Sequence, residues 1–185
     1  MLKQVWEFFK EPIYQEDTNT DFKYRLNIFA RLLVYTLAIS FVLGMVIGSL
    51  ETIFKLDIGK HAIEDFLGWY SPWFLFGAAV VLAPLLEELC FRGPLFFFKE
   101  SRFFRYIFYL FTFVFGFYHI TNFELTMTTL VLSPILVAPQ ISAGVFLGFI
   151  RVRFGLLWAI ALHGCYNLIL VGPYILMQVF DIPLE

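Results

Sequence analysis

Three groups of polar side chains interrupt long apolar stretches of the sequence. They are Glu87, Glu88 and Arg92 in LLEELCFRGPLF, His119 in FGFYHITN, and His163 with Asn167 in LHGCYN. Carboxylates and imidazoles can transfer protons, and imidazole and amide N–H groups can donate hydrogen bonds to a developing negative charge. An ionisable residue at the centre of a membrane helix costs about 2.5–3.5 kcal/mol, so such residues indicate a function or a bonded pair.

The first group predicts a division of roles between its two glutamates. On a helix, Glu88 and Arg92 share a face, where the planar guanidinium can fork onto the carboxylate. Glu87 is rotated by about 100° from that face, so its carboxylate is available for chemistry. The alternative is that all three residues form a structural cluster that holds helices together. Pro84 disturbs the helix just before the group, and irregular backbone at membrane depth usually lines protein or a water-filled cavity.

Each of the other two groups places two side chains on one helical face. Phe115 and His119 are four residues apart, and so are His163 and Asn167. The His163–Asn167 pair could hold an oxyanion. The structural alternatives are a core residue for Phe115, a hydrogen-bonded packing residue for His119, and an interhelical contact for the last pair. Because unpaired burial of so many polar groups would be prohibitive, we expect the three groups to converge on one wet cavity.

The elements that must position these residues are membrane-spanning helices. Of the 185 residues, 60% are hydrophobic and 15% are charged, far from the composition of a soluble domain. A span needs roughly 20 mostly apolar residues. Five stretches meet or approach this length: 32–50, 66–86 with a continuation to 98, 106–123, 125–150 and 154–180. We predict an all-α polytopic transmembrane helical bundle with about five or more spanning helices and a polar intramembrane cavity, forming a single domain over residues 1–185.

Basic residues are concentrated on one side of the predicted spans. They occur in the N-terminal segment and in the turns at residues 99–105 and 151–153, whereas the other side carries only Lys55 and Lys60. The positive-inside rule therefore places the N-terminus and those two turns in the cytoplasm. The mixed charge of the first 27 residues argues against a cleavable signal peptide. Both an interfacial helix around Trp6 and a solvated tail are compatible with this segment.

Composition also limits the partners and the roles of the small residues. The net charge of −2 provides no basic surface, so nucleic acid is not an expected partner. Cys90 and Cys165 lie in apolar runs and are interpreted as small buried hydrophobic residues, not as a disulfide framework. Two glycine pairs predict close helix packing within the chain: Gly44 with Gly48, and Gly144 with Gly148.

Taken together, the three motifs resemble those of the CAAX prenyl protease and bacteriocin-processing family, also called the Abi family. The patterns E-E-x-x-x-R, F-x-x-x-H and H-x-x-x-N occur in the family's order and without departure. The resemblance covers roughly residues 70–170, which would form a protease-like core. It implies an intramembrane endopeptidase of membrane-associated or peptide substrates, used in peptide or bacteriocin processing or in self-immunity.

The resemblance also implies a role for each polar residue. Glu87 would activate water with the help of His119. His163 and Asn167 would stabilise the oxyanion, and the glutamate–arginine pair described above would support the site. Peptide hydrolysis needs these functions, together with a proton donor for the leaving amine.

A metal is compatible with these residues, although it is not required by them. Zinc could be held by Glu87, His119 and His163 with an open position for water, and the family is often labelled metalloprotease. The sequence has no H-E-x-x-H motif, and Glu88 is predicted to be engaged with Arg92. A metal-independent glutamate mechanism is therefore favoured.

The expected setting is a bacterial plasma membrane. The expected partners are the lipid bilayer and a peptide or membrane-anchored protein substrate. Two other functions remain open: an ion or proton transporter, because pumps also use glutamates and histidines, and a non-catalytic membrane interaction protein. The absence of a visible inverted repeat disfavours the transporter.

Overall fold

A computed structural model describes residues 1–58, 70–180 and 182, and this part of the chain is helical with no strand. The elements in chain order are α1 (Leu2–Lys10), α2 (Phe22–Phe54), α3 (Pro72–Phe76), a π-helix (Gly77–Leu82), α4 (Ala83–Phe91), a 3-10 helix (Pro94–Phe98), α5 (Phe104–Tyr118), a second 3-10 helix (His119–Asn122), α6 (Met127–Leu136), α7 (Ala138–Phe154) and α8 (Leu156–Val179). The predicted all-α polytopic bundle is confirmed.

Four stretches of the described chain are long and apolar enough to cross a membrane: Phe22–Phe54, Pro72–Phe98, Met127–Phe154 and Leu156–Val179. The fifth predicted stretch, 106–123, forms α5 and the following 3-10 helix. With 15 residues, α5 is about 22 Å long, which is shorter than the hydrocarbon core of about 30 Å. The start of the second predicted stretch, at 66–69, and Lys60 lie outside the described residues.

The centre of the bundle is α7. Every residue from Ala143 to Val152 is buried, as expected for a helix that is apolar on all sides from Ala143 to Ile150 and contacts α1, α2, α5 and α8. Close packing at the second glycine pair is confirmed. A Cβ on Gly148 would lie 2.4 Å from the Phe108 ring, and one on Gly144 would lie 3.2 Å from the nearest side-chain atoms. A single residue, Gly155 with φ of 97°, joins α7 to α8 in the backbone region that favours glycine.

Two expectations about small residues do not hold for the described part of the chain. Among its residues, nothing lies within 4 Å of a Cβ on Gly44 or Gly48, so this glycine pair makes no close helix contact there. Cys90 is exposed, and Cys165 is only partly buried. On α4, Glu88 faces the interior, so Cys90, two residues later, points to the opposite side.

The N-terminal segment is part of the bundle. The Phe8 ring makes edge contacts with Phe108 and Phe149, at centroid distances of 4.9 and 5.4 Å. The Tyr109 hydroxyl donates a hydrogen bond to the backbone oxygen of Phe9 at 2.6 Å. Of the two arrangements compatible with the sequence, a freely solvated tail is therefore wrong for α1, since α1 packs against α5 and α7.

Candidate active site

Three helical elements bring one carboxylate and two imidazoles together. Glu87 lies on α4, His119 lies where α5 ends, and His163 lies in the middle of α8. The Nε2 atoms of both histidines are 3.8 Å from the same oxygen, Oε2 of Glu87. The side chains of Glu87 and His119 keep 18% and 16% of their exposure, whereas that of His163 keeps 5%. The cluster is partly open at Glu87 and His119, and the expected polar cavity stays a prediction.

The second ring nitrogen of each histidine has a defined partner. Nδ1 of His119 lies 2.8 Å from the backbone oxygen of Phe115, and Nδ1 of His163 lies 2.9 Å from Oε1 of Glu88. A carbonyl and a carboxylate can only accept, so each Nδ1 carries the proton and donates it. In the neutral form of either ring, Nε2 then presents a lone pair toward Glu87.

The predicted ion pair between Glu88 and Arg92 is present, and both side chains are almost fully buried. Nη1 of Arg92 lies 3.1 Å from Oε1 of Glu88, as an ion contact whose angle does not suit a hydrogen bond. The predicted fork across both carboxylate oxygens is not formed. The same Oε1 accepts from His163, so Glu88 orients a histidine as well as neutralising an arginine.

The Phe115 ring contacts Arg92, His119 and His163. The Arg92 guanidinium lies 3.8 Å from the centroid of the Phe115 ring, within the range of a cation–π contact. The same ring makes edge contacts with His119 and His163, at 4.8 and 5.8 Å between centroids. Phe115 is 2% exposed, which confirms the core interpretation. Its position between three polar side chains was not predicted.

The recorded hydrogen bond of the Asn167 amide does not lead to Glu87, His119 or His163. Its Nδ2 donates to the backbone oxygen of Ala79 at 2.8 Å, in the π-helix that precedes α4. An amide has two N–H groups, so one remains for another acceptor. The contact with Ala79 was missed in the sequence, although Pro84 was a signal that the helix here is irregular.

The donor atoms were also compared with the requirements of a metal. Glu87, His119 and His163 are of zinc-binding type, and each histidine donates its Nδ1–H as metal-bound histidines do. However, within residues 1–58, 70–180 and 182, no group of three His, Cys, Asp or Glu side chains has the spacing of a metal site. The arrangement of these described residues does not fit a zinc ion.

A comparison with protein families identifies the family of the chain. The family model described as type II CAAX prenyl endopeptidase, Rce1-like, matches residues 69–169. The chain belongs to this family. It is therefore a membrane protease, and the resemblance drawn from its three motifs is confirmed. No curated protein and no solved structure matches the chain.

The family match contains every polar residue of the site and excludes the first two helices. The matched residues begin just before α3 and end within α8. The helices α1 and α2 lie outside the matched residues, yet both pack against α7 inside them.

Proposed function

We propose that this protein hydrolyses peptide bonds of membrane-associated or peptide substrates with a water molecule that Glu87 activates. The observation that carries the proposal is the environment of one atom. Oε2 of Glu87 is buried, accepts no hydrogen bond from the described residues, and faces the Nε2 atoms of His119 and His163 at 3.8 Å. A buried carboxylate oxygen with vacant acceptor capacity is suited to take a proton from water.

The first step is the attack of water on the scissile carbonyl carbon. A water molecule within hydrogen-bond distance of Glu87 Oε2 and His119 Nε2 can donate one hydrogen to each, because both atoms are acceptors. As the C–O bond forms, Glu87 takes one proton. His119 holds the water in line through its second hydrogen, and its own ring is fixed by the Phe115 carbonyl.

The second step is the collapse of the tetrahedral intermediate. In its doubly protonated form, His163 keeps one N–H on Glu88 and directs the other, at Nε2, to the oxyanion. The second N–H of Asn167 is the other donor. Glu87 then delivers its proton to the leaving nitrogen, the C–N bond breaks, and a carboxylic acid and an amine are released.

The orientation in the membrane follows from the basic residues. The turn after α4 carries Lys99, Arg102 and Arg105, and the turn between α7 and α8 lies next to Arg151 and Arg153. We place both turns and the N-terminus in the cytoplasm of a bacterial cell, which requires α5 with the 3-10 helix that follows it to cross the membrane in addition to the four longer stretches. Substrates would be peptides processed at the plasma membrane, including bacteriocins or components of self-immunity.

The proposal is tested with purified protein in nanodiscs and a library of quenched peptides, half of them carrying a farnesylated cysteine near the C-terminus. Wild type, Glu87→Ala and the exposed control Glu100→Ala are compared, with and without a zinc chelator. We expect cleavage by wild type and Glu100→Ala only. We also expect the chelator to leave both cleavage rates unchanged. Cleavage by Glu87→Ala would refute its role, and chelator inhibition would refute the metal-independent step. Cleavage confined to farnesylated peptides would overturn the peptide-processing assignment.

A further inference from the structure

The helix that carries Glu87 contains a proline, Pro84, about one turn before Glu87. In the π-helix Gly77–Leu82, hydrogen bonds run from N–H of residue i+5 to C=O of residue i, as from Ala83 to Ala78. The next donor in this register would be residue 84. Pro84 has no N–H, so the carbonyl of Ala79 has no donor from its own helix. At membrane depth, a carbonyl without a partner is costly.

The missing donor is supplied by α8. Nδ2 of Asn167 donates to the Ala79 oxygen at 2.8 Å. This bond joins two segments that are 88 residues apart in the sequence. Asn167 therefore takes the place of the N–H that Pro84 removes.

The next carbonyl along the chain, that of Val80, also contacts α8. A Cβ on Gly164 would lie 2.9 Å from the oxygen of Val80, closer than real Cβ contacts. Gly164 and Asn167 are three residues apart and share one face of the helix. The carbonyls of Ala79 and Val80 thus sit side by side on a surface made by a glycine and an asparagine, next to His163.

We propose that Gly164 and Asn167 are positioning residues. They hold the π-helical turn at Ala79 and Val80 against α8 and so set the separation between Glu87 and His163. Glu87 follows Val80 by about two helical turns on the same continuous helical stretch. His163 precedes Gly164 directly. A shift of the turn away from α8 therefore moves the carboxylate relative to the imidazole, whose contact is 3.8 Å.

The consequence for catalysis rests on the proposed function, whereas the consequence for backbone packing does not. A methyl group at residue 164 must displace the Val80 carbonyl or α8 itself, since backbone cannot rotate away as a side chain can. Misplacement of catalytic groups by a fraction of an ångström lowers turnover more than substrate binding.

The experiment compares Gly164→Ala, Asn167→Ala and the matched control Gly172→Ala, all in full-length protein in nanodiscs. A Cβ on Gly172 makes only an ordinary contact, 3.7 Å from Leu168. Amide hydrogen exchange of residues 77–91 is measured by mass spectrometry. The kcat and KM are measured with the best peptide from the library described above.

We expect faster exchange of residues 77–91 in Gly164→Ala and Asn167→Ala, with wild-type exchange in Gly172→Ala. We expect kcat of Gly164→Ala to fall by about tenfold or more at an unchanged KM. Wild-type exchange in Asn167→Ala overturns the inference even when its kcat falls, because an oxyanion donor alone would not protect this backbone. Wild-type kcat in Gly164→Ala also overturns it. If Gly164→Ala does not fold, the hydrogen exchange of residues 77–91 in Asn167→Ala tests the inference. This measurement does not depend on the proposed hydrolysis.

Discussion

Glu88 and His163 are 75 residues apart in the sequence, yet Oε1 of the glutamate lies 2.9 Å from Nδ1 of the histidine. The same oxygen is 3.1 Å from the guanidinium of Arg92. One buried carboxylate therefore fixes the tautomer of a histidine and neutralises an arginine. The orientation of His163, whose Nε2 faces Glu87, therefore depends on Glu88.

Replacement of Glu88 by glutamine should destabilise the protein strongly. The guanidinium of Arg92 is 2% exposed and would lose its counter-charge. Removing one partner of a buried ion pair typically costs about 3–5 kcal/mol. Thermal or denaturant unfolding in detergent measures this loss, with Glu100→Gln as the exposed control. Unfolding of Glu88→Gln at the wild-type midpoint would show that the pair does not hold the helix.

Replacement of Phe115 by leucine should reduce both stability and turnover. The ring contributes a cation–π contact worth up to about 2 kcal/mol where it is desolvated, and leucine does not replace it. His119 and His163 also lose the surface that limits their rotation. The control is Phe113→Leu on the same helix, because Phe113 is 44% exposed. Equal kcat values for the two variants would contradict this role of the Phe115 ring.

The sequence allowed correct predictions where the contacts are local or the residue types are rare. The spacing of four residues predicted the Glu88–Arg92 pair, and the 100° rotation separated Glu87 from it. The apolar lengths predicted a polytopic bundle. Rare ionisable residues in apolar stretches indicated which side chains would lie together.

Contacts between distant segments could not be predicted in this way. Spacing along one helix does not reveal that Glu88 reaches His163, because this depends on how α4 and α8 pack. The partner of Asn167 was missed for the same reason, although Pro84 showed that some carbonyl needed a donor. Glycine pairs were ambiguous, since their spacing is the same whether the helix faces a neighbour, as at Gly144, or faces none of the described residues, as at Gly44.

The N-terminal segment should stabilise α4, the helix that carries Glu87, through Arg151. Nε of this buried arginine donates to the backbone oxygen of Arg92 at 3.0 Å, and its Nη1 donates to the Tyr14 hydroxyl at 3.1 Å. A double-mutant cycle consists of wild type, Tyr14→Phe, Arg151→Gln and the double variant. We expect a coupling free energy of about 1–3 kcal/mol in unfolding measurements. Additive losses within about 0.5 kcal/mol would mean that the two side chains act independently.

The attachment of the N-terminal segment should weaken in acid. The Asp17 carboxylate accepts hydrogen bonds from Arg153, from the Tyr24 hydroxyl at 2.9 Å and from the Asn19 N–H at 3.0 Å. Burial opposes its ionisation, but the hydrogen bonds and the charge of Arg153 together hold the pKa of Asp17 below its ordinary value of 3.8. Its stabilising effect is thus present above that value and is lost as the pH falls through the lower, folded-state pKa.

This pH dependence is measured by comparing wild type with Asp17→Asn. The difference in their free energies of unfolding should be constant near neutral pH and should shrink once the pH falls below about 3.8, the ordinary pKa. A difference that stays constant down to the most acidic pH at which the protein remains folded would contradict the assignment to this carboxylate.

In the proposed mechanism, Glu87 takes the proton of the attacking water. This step is tested by single-turnover cleavage of a peptide substrate by wild type and Glu87→Gln, with matched unfolding midpoints as the check on folding. Glutamine keeps the shape of the side chain but cannot accept the proton. We expect a loss of about 10²–10⁴-fold in the rate of the chemical step with little change in substrate binding. A Glu87→Gln rate within a few-fold of wild type would contradict it.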